Sequence, residues 1–257
     1  MLIKTLVNIR NFIDRKVKFP FVKKGDTVIQ VGFEMSSPNL TTDLFLMQKA
    51  VGNTGLTIGV DPDPLNIADA AAIAEKHKLN VKLIQSATFS KYGKGEMIMG
   101  HRAGGNILDC VPTDADMIQT DRRVEVEFDT LDSLMAKASV DVVKISFVNI
   151  TNNGAEYDTL IGMRNILKEA ENLEISMIAG RPGKMGLIDG RSDVEVKTEF
   201  LNTQGYKTKF YRFNQLLWCS INHMYILREF WKNDKTMEGV LFAVKKDKNF
   251  SPIQSYS

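Results

Sequence analysis

Asp61-Pro62-Asp63-Pro64 follows the β-branched run Leu56–Val60. A carboxylate at the carboxyl end of a strand in an open parallel sheet can accept two hydrogen bonds from a ribose diol. The run before it, Thr27–Gly32 (TVIQVG), ends in Gly32, which would let the backbone approach a ligand closely. The same Asp-Pro turn also reads as an ordinary strand-to-helix connection, with Asp63 as the cap. Two histidines could take a proton from a hydroxyl acceptor: His101 in a long central loop, and His223 in an aromatic segment near the C-terminus. Each also reads as a plain loop residue. Arg181 lies just past a strand, where a guanidinium suits either an anionic substrate group or solvent. Glu156 opens a helix, where a carboxylate could take the acceptor's proton or simply complement the dipole. No G-x-G-x-x-G fingerprint and no G-x-x-x-x-G-K-S/T loop occurs, which argues against a nicotinamide oxidoreductase and a P-loop nucleotidase.

These residues need a scaffold, and the hydrophobic pattern supplies one. Thr27–Gly32, Leu56–Val60 and Val81–Gln85 read as strands. Thr41–Val51 and Pro64–Lys78 read as helices between them, the second with Pro64 in its first turn. This βαβαβ succession is that of a doubly wound parallel sheet. Ser86–Asp121 is turn-rich and poorly periodic, a functional loop with room for a short hairpin. Val124–Phe128 alternates as a strand with one wet face, and Asp129–Ala138 is a short helix. Asp141–Phe147 (DVVKISF) reads as a fourth core strand, Ala155–Ala170 as a helix, Glu174–Ala179 as a fifth strand and Asp193–Thr203 as a helix. Tyr206–Phe213 and Val240–Lys246 are the last strands, separated by Asn214–Gly239, rich in Leu, Trp, Tyr and Met. That insertion reads as packed decoration, a substrate lid or a homo-oligomer interface.

Composition narrows the class. The chain has 257 residues, 44% hydrophobic and 25% charged, with a net charge of +2. That balance belongs to a soluble globular domain and excludes an overall basic nucleic-acid binder. Cys110 and Cys219 form no metal or disulfide spacing, which fits a reducing, cytoplasmic setting. Residues 1–24 carry seven Lys or Arg against one acid, Asp14, with Leu2, Leu6, Ile9 and Ile13 at helical spacing. They read as a basic amphipathic accessory helix that packs on the domain or touches a membrane surface or acidic partner. Residues 25–257 form the domain proper.

The stretches KKGDTVIQVG, VGNTGLTIGVDPDPLNI, FDTLDSL, VDVVKIS and NGAEYDTLIGM, spanning Lys23 to Met163, resemble the FkbM family of S-adenosylmethionine-dependent methyltransferases. The resemblance implies a Rossmann-like class I methyltransferase fold. Its α/β sheet has seven mostly parallel strands, the last antiparallel, and helices on both faces. It implies S-adenosylmethionine as cofactor, and methyl transfer to a hydroxyl on a small molecule or glycan. By position, Gly32 would approach the methionine part of the cofactor. Asp61, with Pro62 beside it, would hold the ribose, and Ser86 and Ala87 would border the adenine. Lys144 to Glu156 would face the methyl group and acceptor. The family pattern has an acid where Gln30 stands and a glycine-rich turn where Glu34-Met35-Ser36 stands. Its Lys-Ile-Asp-x-Glu-Gly-Ala-Glu reads here as Lys144-Ile145-Ser146, about five inserted residues, then Asn153-Gly154-Ala155-Glu156. Ser146 and Asn153 thus occupy positions of two carboxylates, so no metal is expected, and a catalytically inactive binding or assembly protein is the alternative.

Overall fold

The structure, a computed structural model, describes residues 19, 22–35, 42–100, 105–115, 118, 120–212 and 238–250. In chain order the first elements are β1 (Thr27–Val31), α1 (Asp43–Val51), β2 (Leu56–Asp61), α2 (Pro64–Lys76), β3 (Val81–Gln85), β4 (Ala87–Thr88), β5 (Gly93–Ile98), β6 (Ile107–Leu108) and β7 (Arg123–Asp129). They are followed by α3 (Leu131–Lys137), β8 (Ile145–Ile150), α4 (Glu156–Ile161), α5 (Arg164–Glu169) and β9 (Glu174–Ala179). The remaining elements are β10 (Leu187–Ile188), β11 (Arg191–Ser192), α6 (Asp193–Thr203), β12 (Tyr206–Arg212) and β13 (Gly239–Lys245).

Seven strands form the main sheet in the order β12-β13-β9-β8-β1-β2-β3. β13 runs antiparallel to both β9 and β12, and the pairs from β9 to β3 are parallel. This is the strand order of the Rossmann-like class I methyltransferase fold. The parallel strands are near-continuous apolar runs because helices cover both faces. Ile29, Val31, Val148, Ile150, Ile175 and Met177 form one face with residues of α3 to α6. Val28, Phe147 and Phe242 lie on the other, with Leu46, Met47 and Val51 of α1. Burying each such side chain contributes about 1.5–3 kcal/mol. No helix among the described residues is long and apolar enough to cross a membrane.

Local signals explain several boundaries. Asp63 Oδ1 accepts the Leu65 N–H (2.9 Å) and Pro64 sets the first turn, so α2 starts where the sequence placed it. Three expectations change. The fourth core strand is β8, displaced toward the C-terminus, because Asp141 caps a short 3-10 turn over Val142–Lys144 instead of opening a strand. The helix expected over 155–170 is two helices. A Cβ on Gly162 would meet the Phe89 carbonyl oxygen at 2.2 Å, so another part of the chain occupies the break. The turn-rich centre contributes β4, β5 and β6, which with β7 make a second sheet, β4-β7-β5-β6. Its glycines hid it: the Phe128 ring lies where side chains at Gly93 and Gly95 would project. The second sheet buries Met97, Val126 and Phe128 with Ala155 and Met185, and so rests on the segments that leave β8 and β9. The N-terminal helix expected over 1–24 lies outside the described residues except for Phe19 and Val22–Lys24, as does the 214–239 insertion except for Glu238 and Gly239.

Candidate active site

The strand order reverses direction between β1 and β8, so the crevice of a doubly wound sheet opens at their carboxyl ends. Asp61 ends β2 at this edge and is 6% exposed. Its Oδ2 accepts the Phe33 N–H (3.0 Å), and its Oδ1 accepts the Asp63 N–H (2.9 Å) and Asn66 Nδ2 (3.3 Å). Burial pushes the carboxyl up to about 6, against the lowering effect of those three donors. Pro62 forms the half-buried bend between Asp61 and Asp63. Ser86 donates its N–H to the Asp61 carbonyl (3.1 Å) and its hydroxyl to the Ala87 carbonyl (2.9 Å). Ala87 is buried and pairs with Phe128 of β7. Asp61, Pro62, Ser86 and Ala87 therefore meet at one edge.

Gly32 is at the crevice, but its role differs from the expected one. Its φ is +70°, and a Cβ there would lie 2.4 Å from the Thr151 carbonyl oxygen. The close approach is to the chain's own β8 exit. The Gly32 N–H donates to the Val60 carbonyl, and its carbonyl accepts Gln30 Nε2 and Thr151 Oγ1. Beyond it, Phe33 and Met35 are buried while Glu34 is exposed. Asn66 ties this exit to α2, accepting the Met35 N–H and donating to the Phe33 carbonyl.

Gln30 is fully buried in the middle of β1. Its Oε1 accepts Asn149 Nδ2 (2.8 Å), and Asn149 Oδ1 accepts Ser176 Oγ (2.5 Å). Its Nε2 donates to Thr151 Oγ1 (2.9 Å). A satisfied polar row thus crosses β9, β8 and β1, and Gln30 acts inside the sheet rather than on a ligand.

On the other side of the crevice stand the exits of β8 and β9. Ser146 is not among them. It lies near the amino end of β8, where its hydroxyl reaches the Thr27 carbonyl (3.4 Å), so it is removed from the catalytic candidates. The exit of β8 is formed by Thr151, Asn152 and Asn153. Asn152 Nδ2 donates to Thr88 Oγ1 and Thr159 Oγ1 (3.0 and 2.8 Å). Asn153, at φ +52°, donates Nδ2 to the Asn106 carbonyl (2.8 Å) and accepts Arg181 at Oδ1 (3.4 Å).

Arg181 reaches Glu156 (3.3 Å) and Glu238 (3.4 Å). Its two terminal nitrogens are engaged by carboxylates of the chain, while Nε is buried with no hydrogen-bond partner among the described residues. Glu156 is 1% exposed, accepts the Gly154 N–H (2.9 Å) and has Lys197 Nζ at 3.9 Å. It braces the wall between two cations, which corrects its reading as a proton acceptor. Lys197 also bonds Asp193 Oδ2 (2.7 Å) and the Ile178 carbonyl (3.0 Å), while Asp193 Oδ1 accepts the Gly180 N–H (2.9 Å). Sequence reading missed this pair. Its one signal, Asp-x-x-x-Lys at the start of a helix, is that of a solvated ion pair. His101 and His223 lie outside the described residues. Among the described residues, no group of three His, Cys, Asp or Glu is placed to hold a metal.

Solved structures with a similar course include a candidate rRNA-methylase from Clostridium thermocellum, 14% identical, TM-score 0.47, covering 95% of this chain and 97% of its own. A SAM dependent methyltransferase from Aquifex aeolicus is 12% identical, TM-score 0.43, covering 90% and 88%. Aeropyrum pernix fibrillarin, solved in complex with natively bound S-adenosyl-L-methionine, is 10% identical, TM-score 0.45, covering 92% and 74%. No family model matches the chain, and no curated protein matches it in sequence.

Proposed function

We propose that the chain is an S-adenosylmethionine-dependent methyltransferase of the FkbM kind that methylates a hydroxyl on a small molecule or glycan. The observation that carries this reading is Asp61, a buried carboxylate at the end of β2, beside the point where the strand order reverses. Its Oδ2 accepts one protein N–H, which leaves a second lone pair for a ribose hydroxyl. The cofactor would supply an electrophilic methyl group on a sulfonium. The chain would hold the ribose at Asp61 and present to the acceptor Asn152 Oδ1, which is buried with no hydrogen-bond partner among the described residues. Glu156 is committed to Arg181 and Gly154. Orientation, rather than proton abstraction by this carboxylate, is what the β8 exit offers.

One observation favours the second reading, a methyltransferase-fold binding protein without turnover. The N–H groups of Gly32, Phe33 and Met35 are already bonded within the chain.

Calorimetric titration with S-adenosylhomocysteine tests the first reading. Binding should strengthen as pH rises through about 6, where Asp61 ionises. Asp61→Ala should weaken it about 10-fold or more, the value of a charge-assisted contact. Absence of binding at millimolar ligand would overturn the cofactor assignment. Binding without transfer of labelled methyl to any extract component would favour the second reading.

A further inference from the structure

Asn106, just before β6 of the second sheet, reaches both sides of the crevice. Its Nδ2 donates to Asp63 Oδ2 (3.1 Å), and its Oδ1 accepts the Gly100 N–H (3.1 Å). Both ends of the amide are therefore used, which fixes its orientation. A Cβ on Gly100 would lie 2.7 Å from the Gly105 backbone. Only glycine lets the two ends of this loop pinch together and place Asn106 there. The Asn106 carbonyl accepts Asn153 Nδ2 (2.8 Å).

These contacts lead in two directions. Asp63 gives its N–H to Asp61 Oδ1 (2.9 Å), so Asn106 stands one residue from the carboxylate that faces the crevice. Asn153 takes Arg181 at its Oδ1 and holds a left-handed backbone ahead of Gly154, at φ +101°. A non-glycine residue in that region is kept there by its surroundings. β1 lies between β2 and β8, so the path through Asn106 crosses two strand spacings, about 10 Å.

We infer that Asn106 is a positioning residue that ties the Asp61 side of the crevice to the Asn153 side, so that a ligand seated against Asp61 also sets the exit of β8. The inference rests on the reading of Asp61 as the cofactor carboxylate. A simple staple for the second sheet would act on stability alone. A positioning residue acts on affinity, and does so through Asp63.

The test is a double-mutant cycle read by S-adenosylhomocysteine titration of the full chain. Asp63→Ser keeps an oxygen to cap α2 but removes the acceptor of Asn106 Nδ2. Asn106→Ala removes the donor and leaves the carbonyl that Asn153 uses. Each single change should weaken binding about 5-fold, and the pair should lose no more than the worse single, because both cut one link. Exchange of the Gly100 amide should slow on ligand binding in the parent chain and not in Asp63→Ser, which keeps the Asn106 Oδ1 that this amide donates to. Losses that multiply, or an Asn106→Ala chain that melts earlier yet binds equally, would overturn the inference while leaving the cofactor reading intact. A parent chain that does not bind removes both.

Discussion

Asp61, buried, and Glu174, half-buried, are two carboxylates at opposite edges of the same sheet. Asp61 closes the carboxyl end of β2, and Glu174 opens the amino end of β9. Burial pushes Asp61 up to about 6 and Glu174 up to about 7. The donors around them differ. Asp61 is met by two backbone N–H groups and the Asn66 amide. Glu174 Oε2 is buried with no hydrogen-bond partner among the described residues, and Lys23, Asp26 and Lys248 act on it through charge. Desolvation alone does not mark a functional carboxylate. Convergent, fixed donors hold the charged form in one orientation, which is what the proposed ribose contact of Asp61 requires.

Substitutions should separate the two. Asp61→Ala strands the Phe33 and Asp63 N–H groups and should cost about 2–4 kcal/mol in denaturant unfolding at neutral pH. An unchanged midpoint would equate the two sites. Glu174→Gln should do the reverse and add about 1 kcal/mol at pH above about 7, with little effect below about 4. The sign follows from the raised value. The folded state keeps its proton longer than the unfolded chain, so this stability is full at low pH and is lost as pH rises through about 7. A gain that is the same at every pH would exclude titration as its source. The smallest effect belongs to Lys23→Ala, which should move the Glu174 midpoint upward by less than about one unit, because it removes a lowering charge. Carboxyl-carbon NMR reads that shift, and should also show S-adenosylhomocysteine moving the Asp61 midpoint but not that of Glu174.

How far sequence reached depended on whether the information was local. The strands flanking Asp61, the Pro64 start of α2 and the Asp-Pro turn follow from neighbours in the chain. So does the antiparallel last strand, given the resemblance. The start of β8 was misplaced because Asp141-Val142-Val143 has strand-forming residues, while the capping bond that makes it a turn depends on conformation. That error placed Ser146 at the wrong end of the sheet and concealed Thr151. The Asp193–Lys197 pair lies within α6, but its contacts with the Ile178 carbonyl and the Gly180 N–H, like those of Asn106, join separate elements, and periodicity does not report them. Gly32 was legible as a position that needs glycine, but what it approaches was not.

The polar row through Ser176, Asn149, Gln30 and Thr151 also bears on how the chain finds this arrangement. β1 and β8 are joined across more than a hundred residues of sequence, with Gln30 opposite Asn149. Contacts of such long range form late and slowly. An apolar run such as VIQV offers no chemical reason to prefer one alignment over its neighbour. Docking one residue out of step would part Gln30 from Asn149 and leave their amide groups buried without partners. Two amides and two hydroxyls therefore act as a proofreading mark, making the correct alignment of the central strands the one that leaves no polar group stranded.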